Sequence, residues 1–251
     1  MSQPFTLVAE TADFVVLDKS AGVSFHSEDG PGLVVIAAES LGYPLFPVHR
    51  LDKVTSGLIL FARTRAAAAI FSSMFSQQQV QKFYLALSTG AVAKKQGWVK
   101  GDMTAGRRGG QKLLSSMHNP AVSYFISHGF SQPDGLPHKC RAFLIKPFTG
   151  KTHQIRVALK SVSAPIYGDA LYQADSADRV YLHAYALCFE YLDQSYRFLQ
   201  HPTQGAFFVH PQLQQLLASS WAEPWALSWP SYQAPLSSAH YSAEHPQPES
   251  F

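Results

Sequence analysis

Charge is scarce in this chain of 251 residues: Lys and Arg number 20, Asp and Glu 17, together 15% of the sequence. Beside 46% hydrophobic residues, that scarcity excludes a disordered chain, a charged solenoid and a coiled coil. Cysteine is scarcer still. Cys140 and Cys188 lie far apart and form no C-x-x-C pair, so they read as reduced, buried thiols of a cytosolic protein. Long apolar runs are missing as well. None approaches the roughly 18 residues of a membrane span. The opening MSQPFTLVAETADFVVLDK lacks a basic region followed by an apolar one, the pattern of a secretory leader. These absences predict a soluble, cytoplasmic protein with no membrane partner. No internal repeat and no repeated apolar seam are present, so a monomer is expected. The net charge of +3 permits a polyanionic partner without demanding one.

What is present is a succession of short apolar runs rich in β-formers. Phe14–Leu17, Gly57–Phe61, Phe83–Leu87, Val122–Ile126, Cys140–Ile145 and Tyr196–Leu199 each have strand length and turn-type flanks. Helical spacing appears over Leu33–Leu41, Arg65–Gln78, His153–Val162 and Pro211–Leu217, the last with proline at a first-turn position. Strands outnumber helices and do not alternate with them. That predicts an α+β fold with a mixed, mostly antiparallel central sheet and flanking helices, and disfavours a doubly wound sheet.

Two segments differ from the rest. Residues 94–120 hold six cations against the single acid Asp102, with five glycines, and read as a long hairpin or loop that is either solvated or contacts phosphate. Residues 219–251 have no Lys or Arg but carry Trp221, Trp225 and Trp229. Exposed tryptophan is costly, so this tail is expected to dock on a catalytic domain spanning residues 1–218.

Chemistry concentrates in a few polar runs. In His49-Arg50-Leu51-Asp52-Lys53-Val54-Thr55-Ser56-Gly57 a carboxylate sits between cations ahead of an apolar strand. A loop there can hold Asp52 at a cleft edge, with neighbouring cations favouring its charged form. A positioned carboxylate is a competent nucleophile or base toward a sugar. Gly150-Lys151-Thr152 suggests a P-loop, but the glycine that motif requires five residues earlier is Ile145, so the reading fails. What remains is a polar run entering an amphipathic helix. There Arg156 can reach inward to a carboxylate through its planar fork. Lys82-Phe83-Tyr84 opens an apolar strand, and Tyr84 can offer a ring to a base or a hydroxyl to a proton. His49, His153 and His183 show no zinc-site spacing.

Taken together, HRLDKVTSGLILFA, KFYLAL, TGKTHQIRVAL, PIYGDALY and LHAYAL, in that order, resemble pseudouridine synthases of the RluA type. Val16-Leu17-Asp18-Lys19-Ser20-Ala21-Gly22 is similar to a further family segment, with Asp18 where Asn and Ser20 where Pro is usual. Lys151 stands in place of the usual Arg, and Ala121-Val122-Ser123 in place of A-x-T. The resemblance runs from about residue 10 to residue 200.

The resemblance implies the pseudouridine synthase fold with a catalytic cleft, and cofactor-free, metal-free isomerisation of uridines in rRNA or tRNA stem-loops. Asp52 would be the catalytic aspartate, Tyr84 would lie against the flipped base, and Arg156 would pair with Asp52. Leu182 would wall the uracil pocket. Arg50 would fill the vacated stack or clamp a phosphate, and Lys53, Lys82, Lys151 and His153 would contact the RNA backbone. Two alternatives stand beside this reading. One is an RNA-binding or folding-assistance protein on the same scaffold. The other is a glycoside hydrolase pairing Asp52 with a second carboxylate such as Asp169.

Overall fold

Alternation within two central strands decides where the helices sit. The structure, a computed structural model, describes residues 3–27, 30–92, 94–130 and 139–232. Its elements run β1 (Phe5–Glu10), β2 (Phe14–Lys19), α1 (Leu33–Leu41), β3 (Phe46–Pro47), β4 (Ser56–Ala62), α2 (Arg65–Ser76), β5 (Gln81–Ser88) and β6 (Gln96–Gly101). They continue through β7 (Met103–Ala105), β8 (Gln111–Leu113), β9 (Ala121–Gly129), β10 (Arg141–Pro147), α3 (Gln154–Ser161), β11 (Leu182–Tyr191), β12 (Gln194–Leu199) and α4 (Pro211–Ala218). Phe14 and Val16 of β2, with Leu58 and Leu60 of β4, pack beneath Phe71 and Met74 of α2. Their neighbours Val15, Leu17, Ile59 and Phe61 pack on the other face, beneath Leu33 and Ala37 of α1. A strand buried on both faces reads as a continuous apolar run, which is what these segments are.

The main sheet has ten strands among the described residues, in the order β1-β2-β4-β11-β5-β10-β9-β6, with β3 beside β4 and β12 beside β11. Every pairing is antiparallel except β4 with β11. The mixed, mostly antiparallel α+β fold is the one the strand-rich pattern predicts. All four helices fall where the periodicity puts them, within two residues at each end. Sequence reasoning did not count β1, β6 or β11 among the strands. In β11 only Glu190 of ten residues is exposed, so its run lacks the alternation that marks a strand.

The basic insert is divided. β6 extends the main sheet against β9, while β7 and β8 form a separate two-stranded ribbon that closes through a 3-10 turn at Arg107–Gly109. In the tail, Trp221 is buried, and Trp225 and Trp229 pack on the largest core cluster. The Tyr185 hydroxyl donates to the Trp221 carbonyl at 3.2 Å. Residues 233–251, the remainder of the tail, lie outside the described residues.

The parallel contact between β4 and β11 is tight at one point. Gly57 has a φ of +106°, and a Cβ there would collide with the Ala184 backbone, whose nitrogen would be 2.6 Å away. Left-handed conformation and close approach both require glycine. Gly57→Ala is therefore expected to destabilise the fold by more than about 2 kcal/mol, read as a lowered urea midpoint at unchanged slope.

Candidate active site

Asp52 sits on the loop that carries the chain from β3 into β4. Leu51 anchors the loop in the core, and the Thr55 amide donates back to the Asp52 carbonyl at 3.0 Å. A second clamp comes from Lys19 at the end of β2. Its side chain is fully buried, and its ammonium donates to the carbonyls of Ser20, Val23 and Lys53 at 2.9, 3.0 and 3.2 Å. Burial pushes that ammonium down to about 7. Lys19 thus ties two loops together next to Asp52. The same bond accounts for Lys53. Its side chain is exposed and absent from the cleft lining, because the turn that aims Asp52 inward aims the next side chain outward. Lys53 serves the loop here through its carbonyl, while its exposed side chain stands outside the cleft.

The cleft measures about 510 Å³ and is lined by Arg50, Asp52, Lys82, Tyr84, Lys151, His153, Arg156 and Leu182. Eight of the nine residues singled out from sequence therefore meet in one place. They arrive from four directions: the loop before β4, the start of β5, the 149–156 turn entering α3, and the start of β11.

The third of these is fastened by Gln154. Its carbonyl oxygen accepts from the Thr149 hydroxyl at 2.7 Å and the Lys151 amide at 3.0 Å. Its amide nitrogen donates to the Val122 carbonyl at 3.0 Å and the Ser123 hydroxyl at 2.9 Å. A buried amide with every bond made holds the turn rigid and leaves Lys151 and His153 at the cleft. A hydroxyl at position 123 is what the amide needs, which gives the Ala121-Val122-Ser123 segment a physical role.

Arg156 is buried, and its fork closes mainly on Asp169, with Nε to Oδ2 at 2.7 Å and Nη2 to Oδ1 at 2.8 Å. Its remaining Nη1 reaches Asp52 Oδ2 at 3.4 Å. The expected pairing with Asp52 is therefore the weaker of two. Burial opposes the guanidinium charge, but the Asp169 bonds outweigh it and the net shift is upward. Asp169 is 1% exposed with both oxygens occupied, so it cannot serve as the proton-donating second carboxylate of a glycoside hydrolase.

His153 approaches Asp52 from the other side, with Nε2 at 3.9 Å from Oδ2. The Gln111 amide, from β8 of the insert, donates to the Tyr172 hydroxyl at 2.9 Å. That hydroxyl is free to donate onward to His153 Nδ1 at 3.0 Å. Burial holds the imidazole below its ordinary range, so it stays neutral.

Burial first, and the Asp52 charge second, hold the Tyr84 phenol above its ordinary range. His49 lines the cleft wall but its ring is taken up by the fold. Its Nε2 accepts from the Leu60 amide at 2.9 Å, its ring stacks on Phe75 with centroids 4.4 Å apart, and burial pushes it down to about 3. His183 is likewise buried, bonded to the Ser56 hydroxyl at 2.8 Å and the Gln200 carbonyl at 2.9 Å. Cys140 and Cys188 are buried free thiols, each pushed up to about 11 by burial. Sequence reasoning missed the roles of Lys19, Gln154 and Asp169.

Lys82, lining the cleft, adds its own pH dependence to that of Lys19. Burial pushes its ammonium down to about 8, so it is charged below that pH and neutral above it. On that value it is roughly nine-tenths charged at pH 7 and one-tenth at pH 9. If it holds a phosphate, KM for RNA should rise several-fold from pH 7 to pH 9, and Lys82→Arg should flatten the profile. An unchanged profile in that variant would remove Lys82 from binding.

Known proteins match this arrangement. Residues 13–161 match the family described as RNA pseudouridylate synthase. A Haemophilus influenzae protein described as an uncharacterized RNA pseudouridine synthase is 43% identical over 209 residues, covering 82% of this chain and 91% of its own. A Helicobacter pylori protein of the same description is 34% identical over 185 residues, covering 70% of this chain and 60% of its own. Among solved structures, human RNA pseudouridylate synthase domain containing 1 superposes with a TM-score of 0.68 at 24% identity, covering 83% of this chain and 86% of that one. That likeness shows the fold. The family match spans the stretch from β2 through α3 that carries Asp52, Tyr84 and Arg156, and this chain belongs to the RNA pseudouridylate synthase family.

Proposed function

We propose that this protein isomerises uridines of structured RNA to pseudouridine with Asp52 as its catalytic carboxylate. The observation that carries the proposal is the placement of Asp52 in a cleft with Tyr84 and Leu182, between Arg156 and a neutral His153. In the reaction N1–C1′ breaks, C5–C1′ forms, the C5 proton leaves and N1 gains one. No atom is added, so no co-reactant is required.

Each side chain has a part that its position supports. Asp52 either attacks C1′ or takes the C2′ proton, held in place by the Arg156 Nη1 with the His153 ring beside it. Tyr84, kept protonated, stacks on the flipped uracil and donates; a phenol so held does not begin the cycle as a base. Leu182 supplies an apolar wall. Arg50, exposed at the mouth, is suited to the gap left by the flipped base, while Lys82 and Lys151 are suited to phosphates. We place the enzyme in the cytoplasm as a monomer of the RluA type, acting on rRNA or tRNA.

The test is direct. Pooled tRNA and rRNA fragments are incubated with the protein and no additive, digested to nucleosides and chromatographed. The expected result is a uridine peak converted to pseudouridine at constant mass. Binding without conversion in any RNA would favour the folding-assistance reading.

A further inference from the structure

Beside the cleft lies a second groove, of about 690 Å³, and the chemistry above makes no use of it. Lys82, Pro147 and Phe148 line both, so the two adjoin. The far wall is the C-terminal tail: Trp229, Pro230, Ser231 and Tyr232. The lining includes Lys82 and Lys146 but no acid. Phe148, Trp229 and Tyr232 are half-buried, which leaves part of each ring at the groove.

The rings are held in fixed positions. The Trp229 indole donates to the Pro224 carbonyl at 2.7 Å, and the ring packs against Phe83 with centroids 5.5 Å apart. Tyr232 lies against Phe148 and Trp98 at 5.8 and 6.1 Å. Cations interleave with them. The Lys146 ammonium is 5.5 Å from the Phe148 ring and 6.0 Å from that of Trp229, and the Lys100 ammonium is 5.4 Å from that of Tyr232. The tail has no cation of its own; it brings rings to lysines already on β5, β6 and β10. Preset aromatic faces with interleaved lysines suit unpaired nucleotides, whose bases stack while their phosphates meet the ammonium groups.

We infer that the tail completes a stacking subsite for one or two unpaired nucleotides next to the target uridine, with Phe148, Trp229 and Tyr232 as platforms and Lys82 and Lys146 on the phosphates. The inference rests on the RNA reading above and gives the tail a part in choosing the RNA. A target in a loop reaches both sites at once, whereas a target inside a continuous duplex leaves the second empty.

The test uses the full chain, a fluorescein-labelled twelve-nucleotide oligouridylate and an RNA duplex of equal length. Tyr232→Ala should weaken oligouridylate binding roughly tenfold and leave duplex binding unchanged, and Tyr232→Phe should retain it. Lys146→Gln should reduce the salt slope by about one, and Lys146→Arg should restore it. Equal affinity in wild type and Tyr232→Ala, or equal loss on both RNAs, would overturn the subsite. So would a wild type that does not bind oligouridylate. Tyr232-dependent binding with no pseudouridine formed in the pooled tRNA and rRNA fragments would overturn the enzymatic reading alone. Pseudouridine formation with Tyr232-independent binding would overturn the subsite alone.

Discussion

Asp52→Asn is expected to abolish turnover, by at least about 10⁴-fold in kcat, while changing RNA affinity by less than a few-fold. The substitution is nearly isosteric and removes the one group that can bond C1′ or take a proton from C2′. Binding rests elsewhere, on Arg50, Lys82, Lys151 and the aromatic walls, none of which moves with the carboxylate. The amide still accepts from Arg156 through its oxygen, so the loop should hold its place. The fold should tolerate the change because Asp52 is 17% exposed at the cleft edge and is not sealed in the core. Single-turnover rates and equilibrium binding on the same RNA separate the two effects. Equal loss of both would mean that Asp52 binds substrate and does not react with it.

The second large effect belongs to the pair behind Asp52. Asp169→Ala leaves the buried Arg156 guanidinium without the carboxylate that holds two of its nitrogens. Removing one partner of a buried ion pair costs about 3–5 kcal/mol, because the other charge stays buried and uncompensated. A thermal melt should show this directly. Arg156→Lys keeps the charge but loses the fork. A point charge cannot bind both oxygens of Asp169 and still reach Asp52. We expect kcat to fall by about 10²-fold from misplacement of Asp52, with RNA affinity nearly unchanged. A lysine variant with near-normal kcat would show that Arg156 does not position the carboxylate.

Much of this site is legible in the residues. The HRLD run is legible through its resemblance to the family motif; read alone, an aspartate between cations ahead of a strand is equally what a turn cap would give. The helices are legible because their apolar spacing is regular and their termini carry Thr64 as a cap and Pro211 in a first turn. Asp169 was visible as part of the PIYGDALY segment and as a second carboxylate for a glycoside hydrolase, not as the partner of Arg156. Nothing in that spacing says that its oxygens close on Arg156 across the turn after α3. The signal that could have pointed to it is burial: an arginine between Ile155 and Val157 on a buried helix needs a carboxylate within reach. Lys19 follows the same logic, since a lysine ending a buried strand must find acceptors, and loop carbonyls supply them. That the Lys53 carbonyl is one of those acceptors is a matter of loop geometry, which composition does not encode.

The most direct test of Asp52 as the group that drives isomerisation follows the proton that pseudouridylation must release. RNA transcripts carrying tritium at uracil C5 are incubated with wild type and with Asp52→Asn, and tritium in water is counted against pseudouridine formed. The account predicts release by wild type, one tritium per pseudouridine and without any additive, and none above background from the variant. Tritium release by Asp52→Asn at a rate near that of wild type would contradict it.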